Sequence, residues 1–414
     1  MSTTGAPRLP PGFNRLAWSN LAAQSAEQIG LAAAPLVAVL ALGAGAGETG
    51  ALQTMQTLPY LLFAIPAGLL ADRVSRKRLM AGAEALRAAS LAAILVLAVS
   101  GGLSLPLLAL LGLIGACGTI AYSVAAPSLV SALVPRQMLA AANTRVELAR
   151  TVAFVAGPAL GGALVGWTGA SPAFGFAAAL SLIAVILLAG LNEPPRAVLP
   201  PRRPLHDLRE GAGFVLRHPL LLSVFLTQAI FNTAFFVLQA VYVPYAIHHL
   251  GLSASEVGAT LATHGIGMVL GALVAGRMIR ALPFGTVIAI GPVAGFAAAL
   301  AMLATIWIPS VLLAGLSFFL IGVGPILWVI STTTLRQAVT PQELLGRASA
   351  MFLMATGTRP LGALIGALVG GFYGMETCLA VAACGFLIQA GVILASPVCR
   401  LAHQPMVAST SAVT

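Results

Sequence analysis

The chain has 414 residues, of which 59% are hydrophobic and 8% charged, with a formal net charge of +10. Such a composition lies outside the soluble range, and at about 20 apolar residues per bilayer crossing the length holds about a dozen helices with short connections. The positive charge does not indicate a nucleic-acid binder, because the basic residues fall in small groups between apolar runs with little aromatic interleaving.

In chain order, the first eleven residues are polar, carry one arginine, and lack an apolar core followed by a small-residue cleavage site. No removable signal peptide is expected, and the first helix serves as the insertion signal. Apolar runs punctuated by Gly, Pro and charge then predict spans at 16–43, 50–71, 79–100, 104–132, 139–166 and 171–191. A second set follows at 220–247, 255–276, 282–306, 309–333, 348–373 and 377–397. Twelve spans place both termini on one side. The loops after the odd spans, near 44–49, 101–103, 167–170, 248–254, 307–308 and 374–376, contain no Lys or Arg. All 21 basic residues lie in the termini, in the loops after even spans, or within helices. The positive-inside rule therefore predicts cytoplasmic termini in an inner (cytoplasmic) membrane.

The long connection at 192–219 opens with Asn192-Glu193-Pro194-Pro195-Arg196 and continues through Pro200, Pro201 and Pro204. It then becomes the amphipathic run Leu205 to Val215, read as an extended linker followed by a short helix on the membrane surface. The expected organisation is a six-helix bundle over 1–191, the linker over 192–219, a second bundle over 220–397 and a cytoplasmic tail over 398–414. The halves repeat. Pro135 matches Pro341 at an offset of 206 residues, and Gly162-Ala163-Leu164-Val165-Gly166 matches Gly366-Ala367-Leu368-Val369-Gly370 at 204. Two pseudo-symmetric bundles in parallel orientation follow, as in transporters built from internal repeats. The fold class is all-α membrane protein with twelve transmembrane helices.

The densest charge cluster is Gly68-Leu69-Leu70-Ala71-Asp72-Arg73-Val74-Ser75-Arg76-Lys77-Arg78. Four cations within six residues cannot sit in a bilayer core, so the segment is a tight turn between spans 2 and 3. Its spacing, G-x-x-x-D-R-x-x-R-K-R, resembles the loop signature of the major facilitator superfamily of secondary transporters. Gly276-Arg277 echoes it in the second half with the arginine kept and the aspartate absent. Gly157-Pro158-Ala159-Leu160-Gly161-Gly162 in span 5 looks like the Gly-Pro motif of antiporters in that superfamily. Ala126 to Val130, Pro135 to Asn143 and Leu335 to Pro341 are most similar to the subgroup of enterobactin exporters and macrolide efflux proteins. Many drug:proton antiporters carry an arginine in mid-helix 4, whereas Leu107 to Tyr122 contains none. No proton relay through that helix is expected. The resemblance implies the major facilitator fold, alternating access, and a gate loop of Gly68, Asp72, Arg73, Arg76 and Lys77. In it, Asp72 stabilises the outward-facing state against the opposite bundle while the cations hold the loop in the cytoplasm.

Intramembrane ionisable residues mark pathways or structural ion pairs. Glu27 lies about ten residues into span 1, near the midplane by the rise per residue. Asn20, Gln24, Glu27 and Gln28 form one polar stripe, and Gln228, Asn232 and Gln239 form another in span 7, the repeat counterpart. A carboxyl desolvated at that depth suits a proton carrier, and Glu27 is the coupling candidate against a plain packing role. Arg359, deep in span 11, has Glu27, a backbone carbonyl or an anionic substrate group as alternative partners. Glu84 with Arg87 in span 3, and Arg145, Glu147 and Arg150 in span 5, are read as ion pairs in the cytoplasmic third, near the gate, against snorkelling cations. Tyr122, Trp328, Phe231 and Phe235 are aromatic candidates for the cavity wall, with lipid or core packing as the default. His264 is more simply a hydrogen-bonded histidine than a proton site. The Gly362, Gly366 and Gly370 stripe, like that of Gly157, Gly161 and Gly162, reads as close helix packing.

No cofactor and no metal site are expected. The four cysteines form no CxxC pair, the adjacent His248 and His249 point in different directions on a helix, and no nucleophile elbow is present. Lys77 is the only lysine and follows no phosphate-binding glycine loop, so an enzyme is not indicated. The expected function is proton-coupled export of small amphiphilic molecules by a monomeric antiporter, with protons, a small-molecule substrate and the bilayer as partners. Export of a siderophore or another anionic metabolite, with Arg359 holding the anion, is the alternative. A non-transporting sensor or scaffold on the same fold is a third reading, against which the matched polar stripes argue.

Overall fold

The computed structural model describes residues 10–63, 66–67, 70, 73–193 and 204–404. Gly68 and Asp72 of the expected gate loop, and the proline-rich part of the linker, lie outside the described residues. Among those described, helices account for all regular structure: α1 (Pro11–Leu40), α2 (Ala46–Leu62), α3 (Arg76–Val99), α4 (Leu105–Leu133), α5 (Leu139–Thr168), α6 (Ala170–Ala189) and α7 (Pro204–Arg217). Then follow α8 (Pro219–His248), α9 (Ala254–Ala281), α10 (Phe284–Ala304), α11 (Val311–Val339), α12 (Leu345–Thr356), α13 (Arg359–Tyr373) and α14 (Met375–Ala395). Eleven segments are long and apolar enough to cross a membrane, with α12 and α13 together counting as one. The remaining span is α2, described over 17 residues.

The helix ends follow local chemistry. A proline opens α1, α4, α8 and α13, where its missing N–H costs nothing. All five glycines with positive φ among the described residues, Gly43, Gly101, Gly169, Gly251 and Gly374, lie at the cation-free connections. Two of these are single-residue turns. Gly169 (φ 85°) alone joins α5 to α6, and Gly374 (φ 88°) alone joins α13 to α14. A side chain there would be strained, and the two positions are repeat counterparts.

Span 11 departs from the expected single helix. It breaks at Gly357-Thr358 between α12 and α13, because Pro360 has no N–H to return to the preceding turn. The Thr358 hydroxyl instead donates to the carbonyls of Ala355 (2.9 Å) and Ala229 (3.0 Å).

By packing, the described residues within Met1–Gly43, Met55–Pro200 and Ser253–Ala262 form one unit, and those within Ala44–Thr54, Pro201–Leu252 and Thr263–Thr414 form the other. In the first, α1 packs on α5 and α6, and α3 on α4 and α6. In the second, α8 packs on α13 and α14, and α10 on α11 and α14. The same pairing of counterpart helices is the structural form of the sequence repeat.

Glycines bring the paired helices together. A Cβ at Gly157 of α5 would overlap Gln28 of α1, and one at Gly362 of α13 would overlap the Thr233 carbonyl of α8. The amphipathic linker run forms α7, which docks on α12. A Cβ at Gly211 would strike the Arg347 carbonyl, and Arg347 pairs with Glu210 at 2.7 Å. The start of the tail is likewise tied down. Gly285 N–H bonds the Leu401 carbonyl at 2.8 Å, with Val398 fully buried.

Candidate functional site

In the first unit, α1 and α3 meet across a buried ionic cluster. The Arg87 guanidinium donates to Glu84 Oε1 (2.6 Å), Thr119 Oγ1 (2.6 Å) and the Ala23 carbonyl (3.2 Å), and lies 3.4 Å from Glu27 Oε2. The side chain of Glu84 is 0% exposed, that of Arg87 5% and that of Glu27 14%. A guanidinium at this depth is sustained by such a full set of oxygens. Two carboxyls share one cation, and they differ. Glu84 is the close, sealed partner, whereas Glu27 lies farther from the guanidinium and is partly exposed. Glu84 Oε2 is buried without a hydrogen-bond partner.

Sequence reasoning placed Glu84 and Arg87 in the cytoplasmic third of span 3. Ser75 caps α3 by accepting from the Arg78 amide, so the helix starts at Arg76 and Arg87 falls midway along its 24 residues. The pair is therefore joined to Glu27 at mid-helix. Arg145 and the Glu147–Arg150 pair lie in the first half of α5. Arg150 and Glu147 are 2.6 Å apart and exposed, and Arg145 donates to Asn14 Oδ1 at 3.0 Å.

Around the cluster, Asn20 donates to the Val146 carbonyl (3.2 Å), and the buried Tyr122 reaches Asn20 Oδ1 at 3.5 Å. Tyr122 belongs to the packed core of this unit. Gln28 sits beneath Gly157, next to Pro158 on α5, while Gly161 approaches Ile29 and Gly162 approaches Gly258. The antiporter-like stretch thus fixes the turn of α1 that carries Glu27. Gln24 is half-buried on the same helix.

At the described end of the 68–78 loop, Glu193 closes the N-terminus of α3. Its carboxylate accepts from the Ser75 hydroxyl and from the amides of Arg76 (3.1 Å) and Lys77 (3.2 Å), and Lys77 Nζ bonds the Leu191 carbonyl at 2.6 Å. Partial burial opposes the Glu193 charge. The hydrogen bonds from Ser75, Lys77 and Arg76, with the Arg76 charge, outweigh it and hold the carboxyl below its ordinary value. Arg73 is exposed. Sequence reasoning saw Glu193 only as the second residue of the linker, and nothing in its spacing pointed back to residue 75.

In the second unit a cavity of about 280 Å³ opens among α8, α10, α11, the α12–α13 break and α14. Gln228, Asn232, Trp328 and Arg359 of the expected cavity residues line it, with Phe231. Gln239 and Phe235 do not, and Phe235 stacks on the half-buried His264. Arg359 Nε donates to Asn232 Oδ1 at 3.0 Å, and its guanidinium lies 5.5 Å from the Phe236 ring centre. Asn232 and Gln228 in turn donate to the carbonyls of Gln228 (2.9 Å) and Phe352 (3.3 Å). They brace the wall. Two further lining residues, Arg336 and Gln389, escaped the sequence reading. A lone glutamine inside the apolar span 12 was the available signal for the second.

Among the described residues no cluster of His, Cys, Asp and Glu has metal-binding geometry, and the four cysteines are free.

The sequence model of the Major Facilitator Superfamily matches residues 16–367. The chain is 30% identical over 344 residues to the enterobactin exporter EntS of Escherichia coli K12, covering 81% of this chain and 80% of that one. Its fold is similar to the crystal structure of a bacterial homologue of the human lysosomal transporter Spinster, with a TM-score of 0.73 at 17% identity over 95% and 98% of the two chains. A bacterial homologue of the iron transporter ferroportin gives the same TM-score at 16% identity, over 94% and 99%.

Proposed function

The chain belongs to the Major Facilitator Superfamily, and from that premise we propose that it is a proton-coupled exporter of small amphiphilic molecules. It works as a monomer in the cytoplasmic membrane with both termini inside, the orientation that the cation-free loops favour.

The observation that carries the coupling is the buried set of two carboxyls around one guanidinium. With both carboxyls ionised the cluster bears an excess negative charge in a low-dielectric interior. Taking up one proton makes it neutral. Glu27 is the group to exchange that proton, because its contact with Arg87 is the longer and its side chain the more exposed. Glu84 and Arg87 are the fixed counterpart against which it titrates. Conformational exchange that alternately wets Glu27 from the two sides converts a proton gradient into transport.

The test is Glu27→Gln in proteoliposomes, using a panel of amphiphilic dyes and organic acids. Transport driven by a pH gradient is expected to vanish while downhill movement of the same compound persists. Full retention of gradient-driven accumulation rules Glu27 out as the proton site.

The alternative substrate class, an organic anion such as a siderophore or acidic metabolite, gains support from the paired arginines in the second unit's cavity and from similarity to an enterobactin exporter.

A further inference from the structure

The cavity in the second unit carries an imbalance that the transport reading does not use. Among its described lining residues are two guanidiniums, Arg336 and Arg359, and no carboxylate. Arg359 is turned into place by Asn232, and Arg336 lies 4.9 Å from the centre of the Phe352 ring, which supports it by cation–π contact.

Three buried polar atoms of the same wall have no partner: Arg336 Nε, Trp328 Nε1 and Gln389 Oε1. Trp328 and Gln389 are 6% and 3% exposed, so bulk water does not serve them. Their neighbours Gln228 and Asn232 are satisfied within the bundle. A buried donor or acceptor left unmade is costly, and three on one cavity wall call for a ligand that supplies the missing groups. The two N–H donors require an acceptor and the amide oxygen requires a donor. The cations require that the acceptor be anionic. Phe231 and Trp328 add flat apolar surface.

We propose that this cavity is a binding site selective for aromatic organic acids that also carry a hydroxyl donor. Arg336 and Arg359 hold the carboxylate, Trp328 Nε1–H donates a second hydrogen bond to it, and Gln389 Oε1 accepts from the hydroxyl. The site rests on the export reading for its use, since it names the class of molecule exported, while its occupancy needs no proton gradient. Cationic amphiphiles are selected against, because the Arg336 guanidinium on this wall repels them.

The full chain purified in detergent is titrated with 6-hydroxy-2-naphthoate and followed by calorimetry. Parallel titrations use 2-naphthoate, the neutral 6-hydroxy-2-naphthamide and the cation 2-naphthylmethylamine. The hydroxy acid should bind saturably, and the amide and amine about tenfold or more weakly. Arg336→Gln and Trp328→Phe should each weaken the acid by a similar factor. Gln389→Leu should abolish the difference between the hydroxy acid and 2-naphthoate. Should Arg336→Gln not fold, Arg336→Lys keeps the charge and Trp328→Phe keeps the ring, and either still reports.

Equal affinity for acid and amine, or acid binding unmoved by changes at both Arg336 and Trp328, overturns the proposal. Arg280→Gln, which does not line the cavity, should bind the acid normally. A transporter that binds the acid but fails the gradient test separates this site from the coupling reading.

Discussion

At the scale of single residues, the number of charges in the first unit decides more than their positions. Arg87 is buried with two acids, so its removal strands at least one carboxyl away from water. Arg87→Gln is expected to destabilise the protein by about 3–5 kcal/mol, the usual cost of breaking a buried pair. Arg150→Gln, in an exposed pair, should cost under about 1 kcal/mol. Thermal unfolding in detergent compares the two, and the double change Arg87→Gln/Glu84→Gln should recover much of the loss. If the two single variants melt together, the cluster does not hold the bundle.

The polar stripe of α1 was legible in the sequence because an ionisable residue in a span is conspicuous. The identity of its partner was not. Arg359 and Arg87 both stand out as arginines within predicted spans, and only the folded structure shows the Arg87 side chain reaching from α3 to Glu27 and the Ala23 carbonyl of α1. Gln389 and Arg336 were missed because their importance lies in unmet hydrogen bonds, and spacing does not display these.

At the scale of helices, fit and capping set the tolerances. Gly157 lets α5 lie directly on the α1 turn that bears Gln28, whereas Gly82 on α3 has nothing within 4 Å of a built Cβ. Gly157→Ala should cost about 1–3 kcal/mol through overpacking. Gly82→Ala should be neutral or stabilising, by removing a helix glycine. Equal melting temperatures for the two would show that the close approach carries no strain.

The Glu193 clamp on α3 has a definite pH dependence. Its folded carboxyl titrates below the ordinary 4.5, so the stabilisation is complete above that value and is lost as pH falls through the lower folded value. The melting difference between the parent and Glu193→Gln should therefore be constant at neutral pH and shrink under acid conditions. A difference that grows on acidification contradicts the clamp. Helix existence was readable from hydropathy throughout. The break in span 11 was not, since Gly and Pro are common inside membrane helices, and at Gly357 and Pro360 they coincide with a hydroxyl that bonds across to α8.

For the whole molecule, the two units share one pairing scheme, and the sequence displayed it through offsets of 204 and 206 residues between matching segments. The scheme is symmetric, but the chemistry placed on it is not. The carboxyl cluster occupies the first unit, and the cavity with two arginines occupies the second. The first half alone carries an aspartate in the gate motif, with Gly276 as its echo. Asp72→Asn is accordingly expected to reduce transport at least tenfold while leaving insertion and expression intact, as measured by uptake into vesicles alongside immunoblots of the membrane fraction. Normal transport at normal expression removes Asp72 from the gate.

The cation-free turns and the single lysine together have a practical consequence. Apart from the amino terminus, the chain exposes one amine to acylating reagents, and that amine is bound to the carbonyl of Leu191 beside the Glu193 clamp. Amine chemistry, normally indiscriminate, becomes site-specific on this protein. A dye coupled there would sit at the start of α3 beside Leu191 and Glu193, and the rate of its attachment would report how often the Lys77–Leu191 bond opens.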